Sequence, residues 1–226
     1  MDFKVLVASS LIALVALASL VTGGRDSKAA FPGGSGKIAF TSARSGQDEV
    51  HVMNADGTAA AQLTADGGSA PAWSPDGTRI LFQTIVSNHS EIFVMGGDGG
   101  NVEQLTTTPS GGNFSAAWSP DGTKIVFDTD RDGNREVYVM NADGSDPARL
   151  TNDAGLDGSA AWSPDGTKIA FGSTREGGTF NVWVMNADGS NPASLTGGAG
   201  GYDPDWSPDG ARIVFTTLRH TDQEIY

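Results

Sequence analysis

The sequence predicts an all-β fold, a β-propeller built from four-stranded antiparallel blades. Three observations lead there. Trp-Ser-Pro-Asp-Gly begins at Trp73, Trp118, Trp162 and Trp206, at intervals of 44 or 45 residues. Val-Met pairs end at Met53, Met95, Met140 and Met185, and Leu-Thr pairs begin at Leu63, Leu105, Leu150 and Leu195, all in the same phase. A strand-rich repeat of about 40–45 residues is the signature of a propeller blade. The units run over residues 31–64, 70–106, 115–151 and 159–196, with a partial fifth over 203–226.

Each piece of the unit has a local cause. Proline presets φ, glycine accepts positive φ, and aspartate can bond the turn's own backbone. Ser119–Gly122 and its copies, with Asp76, Asp121, Asp165 and Asp209, are therefore tight turns. KIVFDT from Lys124, with counterparts from Lys37, Arg79, Lys168 and Arg212, is a short apolar run bounded by turns, hence a buried strand. EVYVM from Glu136 alternates, so its first, third and fifth residues share one face and its two valines the other. Asn-Ala-Asp-Gly then turns the chain into a last short strand ending in Arg-Leu-Thr. About four antiparallel strands per unit fit a blade. Trp73, Trp118, Trp162 and Trp206 are read as wedges between neighbouring blades, not as ligand-binding groups.

The chain has 226 residues, enough for one sizeable core. Its 31 glycines suit a turn-rich repeat, and it has no cysteine, which excludes disulfides, thiolate nucleophiles and Cys-ligated zinc. The formal net charge of −13 disfavours nucleic acid as a partner. Eight of the aspartates belong to the repeated turns, so turn chemistry accounts for much of that charge.

Residues 1–30 read as a targeting segment and linker. A charged start is followed by an apolar run from Val5 to Val21 and then a polar stretch, as in a secretory signal peptide. Cleavage at Ala16-Leu17-Ala18 or nearer Ala29 and Ala30 are both open, as is an uncleaved anchor. A periplasmic or secreted location is expected. Phe31 takes the tryptophan slot of the first unit, whose first strand is worn or missing. The sequence stops at Glu224-Ile225-Tyr226, inside a strand that elsewhere reads EVYVM, so a partial propeller whose reading frame continues is expected.

Three candidate sites stand out. Asp128, Asp130, Asp132 and Asn134 follow the opening spacing of a calcium loop. The twelfth position, however, is Val139 and the flanks read as strands, which favours a plain hairpin turn. Asp203 and Asp205 replace the alanines and serines found before the other tryptophans, and alternation puts them opposite Trp206. First strands lie nearest a propeller axis, so these two are channel or partner-binding candidates. His51 occupies an aromatic slot shared with Phe93, Tyr138, Trp183 and Tyr226, and is read as packing. His89 and His220 fall in loops before the third strands. With no G-x-S-x-G, no nucleophile elbow is visible, and neither catalysis nor a cofactor is predicted.

The pattern W-S-P-D-G…I-x-F…E-[IV]-x-V-M-N-A-D-G…L-T resembles the WD-like propeller repeat of the TolB family. The resemblance covers residues 31–226. It implies about six blades in the intact family fold. It also implies a bacterial envelope location and protein binding at the propeller loops or channel. A counterpart of the separate α/β domain that TolB carries before its propeller is not expected in the residues ahead of the repeats. A similar repeat precedes the hydrolase domain of prolyl-oligopeptidase-like peptidases. The expected function is a non-catalytic exported scaffold for a protein or peptide. The alternative is the N-terminal propeller of a truncated exported serine peptidase.

Overall fold

The computed structural model of the chain describes residues 36–217 and 224–226. The expectations for the leader, for Phe31 and for His220 lie outside these residues. The described residues form five antiparallel sheets. The first contains β1 (Lys37–Ser42), β2 (Glu49–Asn54) and β3 (Ala61–Gln62). The second contains β4 (Ser69–Trp73), β5 (Arg79–Val86), β6 (His89–Gly96) and β7 (Glu103–Gln104). The third contains β8 (Asn113–Trp118), β9 (Lys124–Thr129), β10 (Glu136–Asn141) and β11 (Ala148–Arg149). The fourth contains β12 (Asp157–Trp162), β13 (Lys168–Ser173), β14 (Asn181–Asn186) and β15 (Ala193–Ser194). The fifth contains β16 (Tyr202–Trp206), β17 (Ile213–Thr217) and β18 (Glu224–Ile225). Each sheet is a meander in chain order. The innermost strands β4, β8, β12 and β16 touch one another in succession, which places them at the hub of a radial array.

The blades are held face to face by alternation. Tyr138 and Met140 of β10 pack backward against Leu81, Ile92 and Val94 of the second blade, with Trp118, Ile125 and Phe127. Val137, next to Tyr138 in sequence, packs forward against Ile169, Phe171 and Met185 of the fourth blade. Phe127, Phe171, Ile125 and Ile169 have no exposed surface. Complete burial of such side chains contributes about 1.5–3 kcal/mol each. The tryptophans act as wedges: Trp118 Nε1 donates to the Ala72 carbonyl at 3.2 Å and Trp206 Nε1 to that of Ala161 at 3.3 Å, each in the preceding blade.

Two features correct the sequence reading. His89 does not lie in a loop. It pairs with Val86 across a two-residue turn in which Ser87 and Asn88 have φ of 51° and 68°. Two left-handed residues make the turn that best fits strand twist, so both strands run on to the tip. The inner strands also do not alternate simply. Register shifts fall between Ser69 and Ala72, Phe114 and Ala117, Gly158 and Ala161, and Tyr202 and Asp205. Each bulge holds one left-handed residue, Ala70, Ser115, Ser159 or Asp203, with φ between 49° and 53°. A bulge inserts an unpaired residue, so the two-residue period does not carry from Asp205 back to Asp203.

Candidate functional site

The meander sends its connections to two ends. One end collects the Ser-Pro-Asp-Gly and Asn-Ala-Asp-Gly turns. In each Ser-Pro-Asp-Gly turn the aspartate is spent on the turn itself. Asp121 Oδ1 accepts from Ser119 Oγ at 2.6 Å, Thr123 N at 3.0 Å and Thr123 Oγ1 at 2.9 Å. Asp76 and Asp165 repeat the set, and Asp209 takes Ser207 Oγ and Ala211 N. These donors hold the aspartates below the ordinary carboxyl range, Asp165 at about 2. Ala142 N donates to the Thr123 carbonyl at 3.0 Å, tying one turn to the other, and Ala187 and Gly97 repeat this.

Gly144 shows why glycine closes the second turn. Its φ is +84°, and a Cβ there would sit 2.6 Å from the Leu105 carbonyl oxygen of the preceding blade. Gly189 meets Leu150 in the same way at 2.8 Å. Among the described residues this end is thus much alike from blade to blade, and the aspartates of its Ser-Pro-Asp-Gly turns are already engaged.

The opposite end collects the hairpins between second and third strands and the crossovers between blades. There the sequences differ from blade to blade. A buried glutamate anchors the joint in each of the first three blades. Glu91, 2% exposed, accepts from Thr106 Oγ1 at 2.6 Å, Thr108 N at 2.8 Å and Asn113 Nδ2 at 2.8 Å. Thr106 Oγ1 in turn accepts from Ile92 N at 2.9 Å. Glu136 repeats this with Thr151 and Asp153 N, and Glu49 with Thr64 and Gly67 N. Burial acts to raise the Glu49 pKa, but the Thr64, Gln47 and Gly67 donors outweigh it and leave it lowered. Asn181 takes the glutamate's place in the fourth blade, accepting from Thr196 Oγ1 and Gly198 N. These pairs stitch a third strand to the crossover that leaves its blade.

A second stitch uses the bulges. Ala70 N donates to Thr41 Oγ1, Ser115 N to Gln83 Oε1 and Ser159 N to Asp128 Oδ1, at 3.1, 3.3 and 3.1 Å. Each acceptor sits on the second long strand of the preceding unit or its equivalent. The matching position before the fifth sheet is Gly172, which has no side chain to offer.

The four residues with calcium-loop spacing are turned apart. Buried Asp128 faces Arg135 Nε at 3.3 Å and the Ser159 N–H. Asp130 Oδ1 accepts from Gly112 N at 2.5 Å. Asp132 Oδ2 accepts from the Tyr138 hydroxyl, close to Arg149. Asn134 Nδ2 donates to Glu136, to the Asp153 carbonyl and to the Gly155 carbonyl. The loop is a hairpin turn closed by Gly133 N donating to the Asp130 carbonyl at 3.0 Å. Among the described residues no group of three or more His, Cys, Asp or Glu side chains is placed to hold a metal ion.

Asp203 and Asp205 are half-buried and exposed respectively, and Asp205 Oδ1 accepts from Trp206 N at 2.8 Å. They stand on β16 of the fifth blade, whereas the loop from Asp130 to Asn134 lies between β9 and β10 of the third. His51 is buried, stacks on Phe40 at 5.5 Å and has Nδ1 3.1 Å from the Glu49 carbonyl.

Large apolar side chains are exposed at this varied end: Ile85 at 66%, Leu156 at 45% and Phe180 at 38%. Leu156 is fixed on its crossover, its N–H donating to Thr174 Oγ1 at 2.8 Å and its carbonyl accepting from Thr174 N at 3.0 Å. Phe180 packs its ring 6.4 Å from that of Tyr202. The arrangement is a hydrogen-bonded rim with apolar knobs.

A family profile described as the TolB beta propeller domain matches residues 107–226. The structure is similar to TolB from Acinetobacter baumannii, with a TM-score of 0.76, 24% identity, and coverage of 87% of this chain and 50% of that one. It is similar to a putative TolB from Agrobacterium tumefaciens, with a TM-score of 0.73, 24% identity, and coverage of 84% and 68%. It is also similar to puromycin hydrolase, with a TM-score of 0.67, 16% identity, and coverage of 88% and 35%. At these identities the likeness is one of fold. The chain spans half the length of the Acinetobacter protein. A search of curated proteins finds no match.

Proposed function

This chain belongs to the TolB β-propeller domain family, and from that premise we propose that it is an exported, non-catalytic scaffold that binds a protein or peptide partner on the varied end of its propeller. The observation that carries this reading is the contrast between the two ends. One end spends its polar groups on near-identical turns. The other displays differing hairpins and the exposed Ile85, Leu156 and Phe180. Binding residues concentrate on loops held by a rigid framework. Asp203 and Asp205 extend the candidate surface toward the hub. On this reading residues 1–30 direct export and residues 31–226 form the propeller, with the bacterial envelope as its location.

The test is capture with crosslinking from envelope extract. The wild-type chain should retain a partner that the combined Ile85→Asp, Leu156→Asp and Phe180→Asp variant loses. Val102→Asp, a comparably exposed apolar position on the turn end, should keep it. No partner above background, or equal loss with Val102→Asp, refutes the reading. The mass of the mature N-terminus from the periplasmic fraction tests the export segment.

A second reading is favoured by the fold likeness to puromycin hydrolase. Here the propeller would be the N-terminal part of a longer exported serine peptidase. A reading frame that continues past Tyr226 into G-x-S-x-G, then Asp and His, supports it; a stop after one or two further repeats ends it.

A further inference from the structure

Asn113 and Asp157 occupy the same place in successive blades, five residues before Trp118 and Trp162. Both have no exposed surface. In the third blade Asn113 Oδ1 accepts from Arg131 Nη2 at 2.7 Å, and Asn113 Nδ2 donates to Glu91 Oε2 at 2.8 Å. In the fourth blade Asp157 Oδ2 accepts from Arg175 Nη2 at 2.5 Å. Its other oxygen, Oδ1, takes the place of the asparagine donor, is buried, and has no hydrogen-bond partner among the described residues. The counterpart of Glu91 there is Glu136, fully buried, with Oε2 accepting from Thr151 Oγ1 at 2.6 Å.

We propose that Asp157 carries a proton in the folded protein and donates it from Oδ1 to Glu136 Oε2, so that this carboxyl pair is a pH-sensitive clamp between the third and fourth blades. Where the third blade uses an amide N–H, the fourth uses an acid O–H. By this correspondence Asp157 Oδ1 faces Glu136 Oε2, and two carboxyl groups that face each other shielded from water do not both ionise. Charged and polar neighbours reach the pair from both blades, and Asp153, held by Gly155 N at 2.9 Å, stands where Thr108 accepts from Asn113 Nδ2 in the third blade. Ser173 and Arg175, in the fourth blade, favour the charged form of Asp157. Glu136, across the joint, opposes it and is itself engaged by Arg149 at 2.7 Å and by Asn134. Asp128 reaches the far side of Gly158 and is neutralised by Arg135. Burial is the largest influence and, with Glu136, raises the Asp157 pKa above its ordinary value.

A carboxyl whose folded pKa is raised binds its proton in the folded state after the unfolded chain has released it. The contribution of Asp157 to stability therefore falls as pH rises from the ordinary aspartate value of 3.8 to the raised value, and is flat above it.

The experiment compares the full chain with Asp157→Asn, which copies the third blade's geometry at the same volume. Near pH 4 the two should melt together. As pH rises, the variant's melting temperature should climb above the wild type's and the gap should then level off. In an infrared titration of the wild type, a carboxylic-acid C=O band should persist after the exposed carboxyls have ionised, and it should be missing from Asp157→Asn. A gap that stays constant with pH, or a band unchanged by the substitution, overturns the proposal. Asn113→Asp is the reciprocal test if Asp157→Asn fails to fold. It should add a second persistent band and a second pH-dependent loss at the Glu91 joint. Absence of both overturns the proposal equally.

Discussion

Replacing Thr106 by valine removes two hydrogen bonds while keeping the shape of the side chain. Thr106 is 6% exposed, and its hydroxyl joins Ile92 N at 2.9 Å to Glu91 Oε2 at 2.6 Å. The orphaned backbone N–H costs about 1–3 kcal/mol, and the lost bond to a carboxylate about 1.5–3 kcal/mol. Glu91 keeps Thr108 N and Asn113 Nδ2, so the lower half of that sum applies. The expected loss is about 3 kcal/mol, against a total stability of about 5–15 kcal/mol. For a chain of this size that is a fall of about 6–12 °C in melting temperature. Urea unfolding followed by tryptophan fluorescence checks it, with a lower midpoint at unchanged slope. Thr107→Val, at the exposed neighbouring position, should stay within about 0.5 kcal/mol of wild type. If Thr106→Val does the same, the glutamate–threonine pair does not hold the joint.

Gly133→Ala should cost only the left-handed backbone, about 1–2 kcal/mol, because nothing lies within 4 Å of the added methyl. Gly144→Ala should cost about 1–3 kcal/mol more, for its contact with Leu105; equal urea midpoints would sink this. The Tyr138 phenol, raised by burial and then by its bond to Asp132, should ionise only near pH 12 in an ultraviolet titration. Asp132→Asn should bring that titration down, and an unmoved curve refutes the assignment. Asp165 has a depressed folded pKa, so its contribution is present above the ordinary value of 3.8 and is lost as pH falls toward about 2. Asp165→Asn should flatten the acid limb of melting temperature against pH; an identical limb contradicts the turn's hydrogen bonding.

Much of the architecture is legible because the repeat prints the same physics four times. Proline, aspartate and glycine after each tryptophan announce turns, and Asp121 does bond Ser119 and Thr123. The stitches between blades are harder to read. The glutamate opening a third strand and the threonine of Leu-Thr stand at a fixed separation of 15 residues, a visible signal. Its meaning needs the knowledge that a crossover folds back onto the strand. The bulges leave no signal, since Ala70, Ser115, Ser159 and Asp203 are not residues that favour positive φ as glycine does. The acidic run from Asp128 invites a calcium reading because spacing along a line hides direction. The hairpin sends Asp130 toward Gly112 and Asp132 toward Tyr138.

Consecutive residues of β10 serve different neighbours: Val137 looks to the fourth blade, Tyr138 to the second. The third sheet is therefore a party wall, and so is the second, with Phe82 facing the first blade and Leu81 the third. A substitution at one position disturbs a single room, and its neighbour in sequence reports on the other. Paired labels at Val137 and Tyr138 would therefore separate loosening of one joint from a movement shared by both.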